Sequence, residues 1–432
     1  MENILARAKK VAEEAEVFMV SSEETPLQFE ANRLKHIQSK QSRSVALRII
    51  KGGKVGYAST TKMDDSQELV DMAVETAQFG MPARFEFPSH TSYPQMEIFD
   101  TDVASISVEG MVKIGEELVA AVTRHTPDIM CEAEVTKGMV SVRIVNSRGG
   151  EADYRKSVFG LGIGGTLIRG TDMLFVGEGQ NSCRPLLEPK AVTGVVLRQL
   201  ELAKNLASVP SKSLPVVFTS NGVASALIPA LMRAFNGKIV LEGASPIGNR
   251  LGEVVFDERL SLWDDPTVAY RPGSRPCDDE GVPSQCTTLI EQGVVGNFLY
   301  DLQIAALAHT RSTGNGRRSG GLPSPSPSAF VIGSGDTSFD EMVGDIKEGL
   351  VIEQLMGAEQ GNILGGDFSG NVLLGYKVEN GKIVGRVKDT MVSGNVYQAL
   401  KEVAAIGSEA KWVGSSLNTP PLYCPSLSVA SK

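Results

Sequence analysis

Histidine is scarce in this sequence. There are four in 432 residues (His36, His90, His125 and His309), and no two lie within a helical turn or hairpin of one another. No H-E-x-x-H occurs, and the five cysteines (131, 183, 277, 286 and 424) form no C-x-x-C. A metal site made by neighbouring ligands is thereby excluded, and a zinc site would need partners far apart in the chain. The nucleophile elbow G-x-S-x-G is also missing. Positive charge is in deficit: the net charge is −9, which argues against a general nucleic-acid binder. Basic clusters are confined to residues 33–40 and to Arg317-Arg318. No apolar run approaches the roughly 20 residues that cross a bilayer, so no membrane span is expected. The N-terminal segment is amphipathic and of mixed charge, unlike a secretory signal. An odd number of cysteines predicts a reducing, cytoplasmic setting in which the thiols serve as small core residues.

What is present is a long chain with two styles of pattern. Its length exceeds what one core usually serves, so two domains are expected. In the first half the apolar spacing predicts helices over residues 3–15 and 108–126, and a third over 188–207. A further helix ends near residue 79, capped by Asp64 or Asp65. Strands are expected at 16–20, 44–50, 54–59, 139–146, 151–157 and 160–169, with Gly52-Gly53 turning one hairpin. Residues 82–94 read as an ordered loop, and the Ser/Pro/Lys stretch 208–215 reads as a linker. The second half opens with a strand at 216–219 and a helix of about 15 residues that Pro229 should kink. Short strands follow at 287–291, 294–301, 330–332, 371–378 and 382–386, with turns at Gln292-Gly293 and Glu379-Asn380-Gly381. Helices are expected at 305–309 and 338–347. The class is α+β, each of two domains (1–207 and 216–432, joined by 208–215) mixing antiparallel sheet with long helices.

Two loops carry the densest polar chemistry. Asp278-Asp279-Glu280-Gly281 stacks three acids on a glycine. Ser312-Thr313-Gly314-Asn315-Gly316-Arg317-Arg318 ends two glycines with two guanidinium groups. Opposite charges bracketing one hairpin–helix unit suit an ion-paired scaffold, or a cleft that grips a peptide backbone. The arginine heads are expected against the acidic loop. His309, beside Arg311, is the best-placed general base, or else a helix-terminal residue near free carbonyls. The glycines at 160–165 lie in strand-like sequence and open no helix, so they do not form a phosphate cradle.

An ordered set of motifs gives these loops a context. It runs Asp264-Asp265-Pro266, Asp278-Asp279-Glu280-Gly281-Val282-Pro283, Leu289-Ile290-Glu291-Gln292-Gly293-Val294 and the STGNGRR loop. It continues through Gly365-Gly366-Asp367-Phe368-Ser369, Glu379-Asn380-Gly381 and Ile406-Gly407. In order and spacing, residues 216–432 resemble the TldD/TldE (PmbA) family, known as modulators of DNA gyrase and as cytosolic peptidases. The first half agrees more loosely.

The resemblance implies two branches. TldD-type chains carry H-E-x-x-x-H on the helix after the first strand of the C-terminal domain, with a cysteine ligand near the C-terminus. Here Ile228 and Arg233 stand at the histidine positions and Pro229 at the glutamate. None can act as a neutral nitrogen donor or carboxylate base. Cys424 is near the third position but falls in the final strand. The chain therefore resembles the TldE/PmbA branch, with no catalytic residues, cofactor or metal of its own. The family implies a TldD-type partner holding the zinc, a chamber completed by this chain, and unfolded peptides as substrate. Leader-peptide trimming and small-protein degradation are the activities implied. Asp278, Asp279, Glu280, Gly281, His309, Thr313, Gly314, Asn315, Arg317 and Arg318 are then the residues expected at the cavity or subunit contact. The alternatives are a self-associating scaffold, such as a homodimer, and a stand-alone peptidase of other chemistry.

Overall fold

The computed structural model describes residues 1–62 and 66–431. The cap expected at Asp64 or Asp65 falls outside these residues. Helix α1 (Glu2–Ala8) is shorter than its apolar pattern suggests, because Glu14 already begins a strand paired on both sides. The first half is one antiparallel sheet. Its strands are β1 (Glu14–Glu30), β2 (Arg33–Ile37), β3 (Lys40–Lys51), β4 (Lys54–Thr60), β5 (Met130–Asn146), β6 (Glu151–Arg169) and β7 (Asp172–Ser182). They run in the order β4-β3-β1-β5-β6-β7, with β2 folded back on β1. Residues 151–157 and 160–169, expected as two strands, are the single strand β6. Gly160 pairs with Thr136 on one side and Asn181 on the other, so the glycine run stays in the ladder.

Alternation along the strands gives this sheet two buried faces. Ala15, Val17, Leu47 and Ile49 pack on α1 and on α2 (Ser66–Ala77). The helix α3 (Thr101–Ser105) leads into α4 (Val108–His125), whose Ser107 hydroxyl accepts a hydrogen bond from Gly110 N–H. Met111, Ile114, Leu118 and Val122 form one stripe of α4. With α5 (Lys190–Leu202), it covers the far end of the sheet around Phe29, Phe159 and Ile163. The helix expected over 188–207 is thus shorter at both ends.

Of the expected linker, residues 212–215 already belong to strand β8 (Lys212–Phe218). The helix after it is split. α6 (Ser220–Ala226) and α7 (Ile228–Ala234) meet at Leu227, two residues before Pro229, which removes an amide from the ladder. α8 (Gly237–Leu241) follows, capped by the Asn236 side chain. Six further elements are β9 (Leu262–Asp264), β10 (Thr287–Glu291), β11 (Val294–Val295), α9 (Leu302–Leu307), β12 (Gly316–Arg317) and β13 (Ser324–Pro325). The turn between β10 and β11 has positive φ at Gln292 and Gly293, as a two-residue hairpin requires. β11 is only two residues long, where eight were expected, because the chain leaves the sheet to reach the α9 cap.

The remaining elements are β14 (Phe330–Ile332), α10 (Phe339–Gly344), β15 (Glu348–Met356), β16 (Asp367–Glu379), β17 (Lys382–Arg386), β18 (Thr390–Asn395), α11 (Val396–Lys401), β19 (Ala405–Ile406), β20 (Lys411–Val413), β21 (Leu417–Thr419) and β22 (Leu422–Ser431). The pairings β15-β8-β22-β18-β16, with β16 returning to β15, run round a closed ring. β15 and β8 are parallel and most of the other pairs antiparallel, so the class is α+β with mixed sheets. The described helices of this half are seven residues or shorter, and the long-helix expectation holds only for the first half.

The two halves share a core. Phe218 and Ile352 point toward α6 and α7, whereas Val217, Val351, Tyr376 and Tyr423 join one cluster with Leu118 and Val196. Among the described residues no helix is long and apolar enough to cross a membrane.

Candidate functional site

On β1 the period of two that turns Ala15 and Val17 toward the helices turns Glu16 and Phe18 to the opposite face. Arg48 stands directly across from Glu16 in the β1–β3 register. This face is covered by loops of the second half, where Phe18, Ala46 and Ile144 pack with Cys277. Two charges are therefore carried into a closed interface, where each needs an opposite charge and a hydrogen bond.

The two strand residues pair with each other, and the loops of the second half add Glu280 to Arg48 and Arg318 to Glu16. Arg48 donates from Nη1 to Glu280 Oε1 at 2.5 Å and pairs through Nη2 with Glu16 at 3.1 Å. Glu280 Oε2 also accepts from Leu302 N–H at 2.7 Å, at the start of α9. Arg318 donates from Nη2 to Glu16, so two guanidinium groups flank one carboxylate. Glu16 and Glu280 are fully buried and Arg48 is 2% exposed. Arg48 also lies over the Phe85 and Phe87 rings, at 4.8 and 4.9 Å.

Backbone amides complete the arrangement. Asp278 accepts from Glu280 N–H and Val282 N–H at 2.9 Å and from Gly316 N–H at 2.8 Å. The last bond ties the two loops directly. Asp279 accepts from Arg318 N–H at 2.8 Å, and its carbonyl accepts from Arg318 Nε at 3.2 Å. Arg275 reaches Asp279 at 3.5 Å. Gly281 has φ +75°, and its carbonyl accepts from Tyr93 Oη. Deeper still, Thr313 donates to Asn315 Oδ1 at 2.7 Å. Asn315 Nδ2 donates to the buried Asp264 at 2.6 Å. Gly314, at φ +74°, presses on the Pro283 carbonyl, leaving no room for a side chain.

Burial sets the electrostatics. Loss of water, then the like charge of Glu280, push Asp278 up to about 8 and Asp301 to about 7. Burial raises Glu16 as well, opposed by Arg48 and Arg318. Arg318 is lowered by burial, and so is Arg317, which also faces Arg275. A cavity of about 190 Å³ opens over this network, lined by Arg48, Glu280, Asp301, Lys238 and Leu322.

Nine of the ten residues singled out in the sequence lie in these two loops, which are tied together at Asp278–Gly316 and Asp279–Arg318, while Thr313 and Asn315 turn inward to Tyr300 and Asp264. The arginine heads were expected against the acidic-loop carboxylates, but the Arg318 guanidinium pairs with Glu16 and meets that loop only at the Asp279 carbonyl. Arg317 extends β12 against Ser324. His309 stands apart: it is exposed, with φ 55°, one residue beyond the Ala308 cap of α9. Sequence reasoning missed Glu16, Arg48 and Asp301. The available signal was a lone charge inside an apolar strand, in EVFMV and VALRII.

The motif positions on the split helix lie elsewhere. Ile228 is 6% exposed in the apolar cluster of the second half, and Arg233 is exposed to solvent. Cys424 is buried on β22, opposite Val216, with burial pushing its thiol up to about 12. Among the described residues no three His, Cys, Asp or Glu side chains converge as a metal site requires.

Comparison with known proteins gives this geometry its relatives. The family model described as PmbA/TldA metallopeptidase C-terminal domain matches residues 211–431, and the domain 1 model matches 15–77. An uncharacterised protein of Methanocaldococcus jannaschii is 28% identical over 409 residues, 93% of each chain. A protein of Methanothermobacter thermautotrophicus named a metalloprotease is 26% identical, covering 94% of this chain and 90% of its own. The crystal structure of TldE from Thermococcus kodakarensis superposes with a TM-score of 0.91 at 21% identity, over the whole of both chains.

Proposed function

The chain belongs to the PmbA/TldD metallopeptidase family, and from that premise we propose that it is the subunit without zinc in a heteromeric peptidase. A TldD-type homologue holds the metal in this reading. The present chain completes the chamber into which unfolded peptides pass.

The carrying observation is the chemistry at the motif positions. A zinc ion needs neutral imidazole or anionic ligands. Here one position is an aliphatic chain sunk in the core, and the other a permanent cation facing solvent. Pro229, at the glutamate position, is an imino acid that splits the helix. These residues do not fit the metal, and no bond-breaking step is assigned to them. The Glu16–Arg48–Glu280–Arg318 network holds the two halves of the chain in register, and so shapes the wall the partner meets.

The test is twofold. Metal analysis by mass spectrometry after dialysis should find no stoichiometric zinc on the purified chain. Affinity capture from native lysate of the source organism should bring down a homologue carrying H-E-x-x-x-H, and an unfolded peptide should be cleaved by the pair and not by this chain alone. Near-equimolar zinc on the isolated chain overturns the reading.

A further inference from the structure

A second cleft lies where the two halves meet, away from the ionic network. It encloses about 290 Å³, close to the lower bound of about 300 Å³ for small-molecule sites, and takes its walls from α5, the start of α6, α10 and strands β15 and β16. Val195, Leu202, Phe339 and Ile383 make one side apolar.

Its wall carries polar groups of both signs. Glu353 is the residue skipped where the β15–β16 register shifts between Ile352 and Gln354, an irregularity of the kind that re-aims a side chain. One carboxylate oxygen, Oε2, accepts from Thr219 Oγ1 at 3.1 Å, and Oε1 has no partner among the described residues. Tyr376, fully buried on β16, lines the same cleft, and its hydroxyl has no hydrogen-bond partner among the described residues. A buried hydroxyl left unpaired is costly and marks a place where a partner belongs. That hydroxyl lies within electrostatic reach of Glu353 and Arg198, both on the cleft wall. At the rim, Arg198 and Lys411 are exposed and form no ion pair among the described residues, although Asp340 and Glu409 also line the cleft. Arg198 is held instead over the Phe339 ring, at 5.6 Å.

We propose that this cleft binds a short zwitterion of dipeptide size, its ammonium group on Glu353 and Tyr376 and its carboxylate on Arg198 and Lys411. An ammonium group supplies donors to the free Glu353 oxygen and to the Tyr376 hydroxyl oxygen, while the carboxylate accepts from the two rim cations. The apolar wall takes the side chain. The assignment stands on this chain's own residues and does not depend on a zinc-bearing partner.

Glycyl-leucine is the probe, titrated calorimetrically into the purified chain. Its N-acetyl and C-amide forms and the variants Glu353→Gln and Arg198→Ala serve as comparisons. Saturable binding of the free dipeptide is expected, weakened about tenfold or more by either cap and by either substitution. Arg198 is exposed, so its truncation tests the site without threatening the fold. No binding of the free dipeptide, or equal binding of both capped forms, overturns the assignment. Undiminished binding by both variants does the same.

Discussion

Replacing Arg48 by methionine removes one charge from the middle of a buried chain of charges and keeps most of its stem over Phe85 and Phe87. Glu16 retains Arg318, but Glu280 is left with a backbone amide alone. Exposed ion pairs are worth at most about 1 kcal/mol, whereas breaking a buried pair by deleting one partner costs about 3–5 kcal/mol. Arg48 is 2% exposed and both carboxylates are fully buried, so the larger figure applies. Against a total stability of about 5–15 kcal/mol, this is a large share. With a urea m-value of about 3 kcal/mol/M, the unfolding midpoint should fall by roughly 1 M or more. The deficit should narrow as pH falls from 8 to 5. Burial already raises Glu16 above its ordinary range, and Arg48 is the first charge opposing that rise. With Arg48 gone, Glu16 binds its proton at higher pH in the folded state, and the penalty fades once it is protonated. Adding Glu280→Gln to Arg48→Met should recover part of the loss, because the orphaned charge is removed. A single variant within about 1 kcal/mol of the parent, or a double variant whose losses simply add, would refute the burial argument.

Three further outcomes are expected. Asp301 caps α9 through Ile304 N–H, and burial and Glu280 raise it to about 7; its stabilising proton is fully held below about 4 and lost as pH rises through 7. Asp301→Asn keeps the cap, so its stability, followed by thermal denaturation from pH 5 to 8, should fall less than the parent's. A methyl at Gly115 on α4 would overlap the Phe29 ring of β1, so Gly115→Ala should cost about 1–3 kcal/mol in urea unfolding. If the chain pairs through a large obligate surface, light scattering should report a mass above the 46.1 kDa of one copy, and a constant monomer mass at micromolar concentrations would count against pairing.

The fold was legible wherever period and punctuation agreed. The stripe of α4, the Gly52-Gly53 hairpin and the Asn380-Gly381 turn follow from local spacing, and the structure places them as read. Local spacing misled where long-range pairing decided. Residues 9–15 continue an apolar helical pattern, yet Glu14 and Ala15 enter a ladder with Ile49 and Ile50. Residues 294–301 carry strand composition, but only Val294 and Val295 form a strand, and Leu299 makes a lone bridge to Asn236 before Asp301 caps α9. Lys212 reads as linker and is strand because Val429 lies beside it, 217 positions later.

The site divides along the same line. The acidic and arginine loops announce themselves by composition, and their mutual contact was inferable because one hairpin–helix unit separates them. Their buried partners were not, since Glu16 and Arg48 sit more than two hundred residues away, in strands whose apolar neighbours hide them. One charge in an apolar strand is uninformative alone. Glu16 and Arg48, facing each other on paired strands, offset one another in a dry interface but leave carboxylate oxygens and guanidinium N–H groups that the rest of the chain is obliged to satisfy. The loops at 278–280 and 316–318 meet that obligation. It follows that the second half of this chain is fixed on the first by charge at one end of the interface. At the other it is fixed by the apolar cluster of Val217, Val351 and Leu118, and a partner subunit would meet the two halves as one surface.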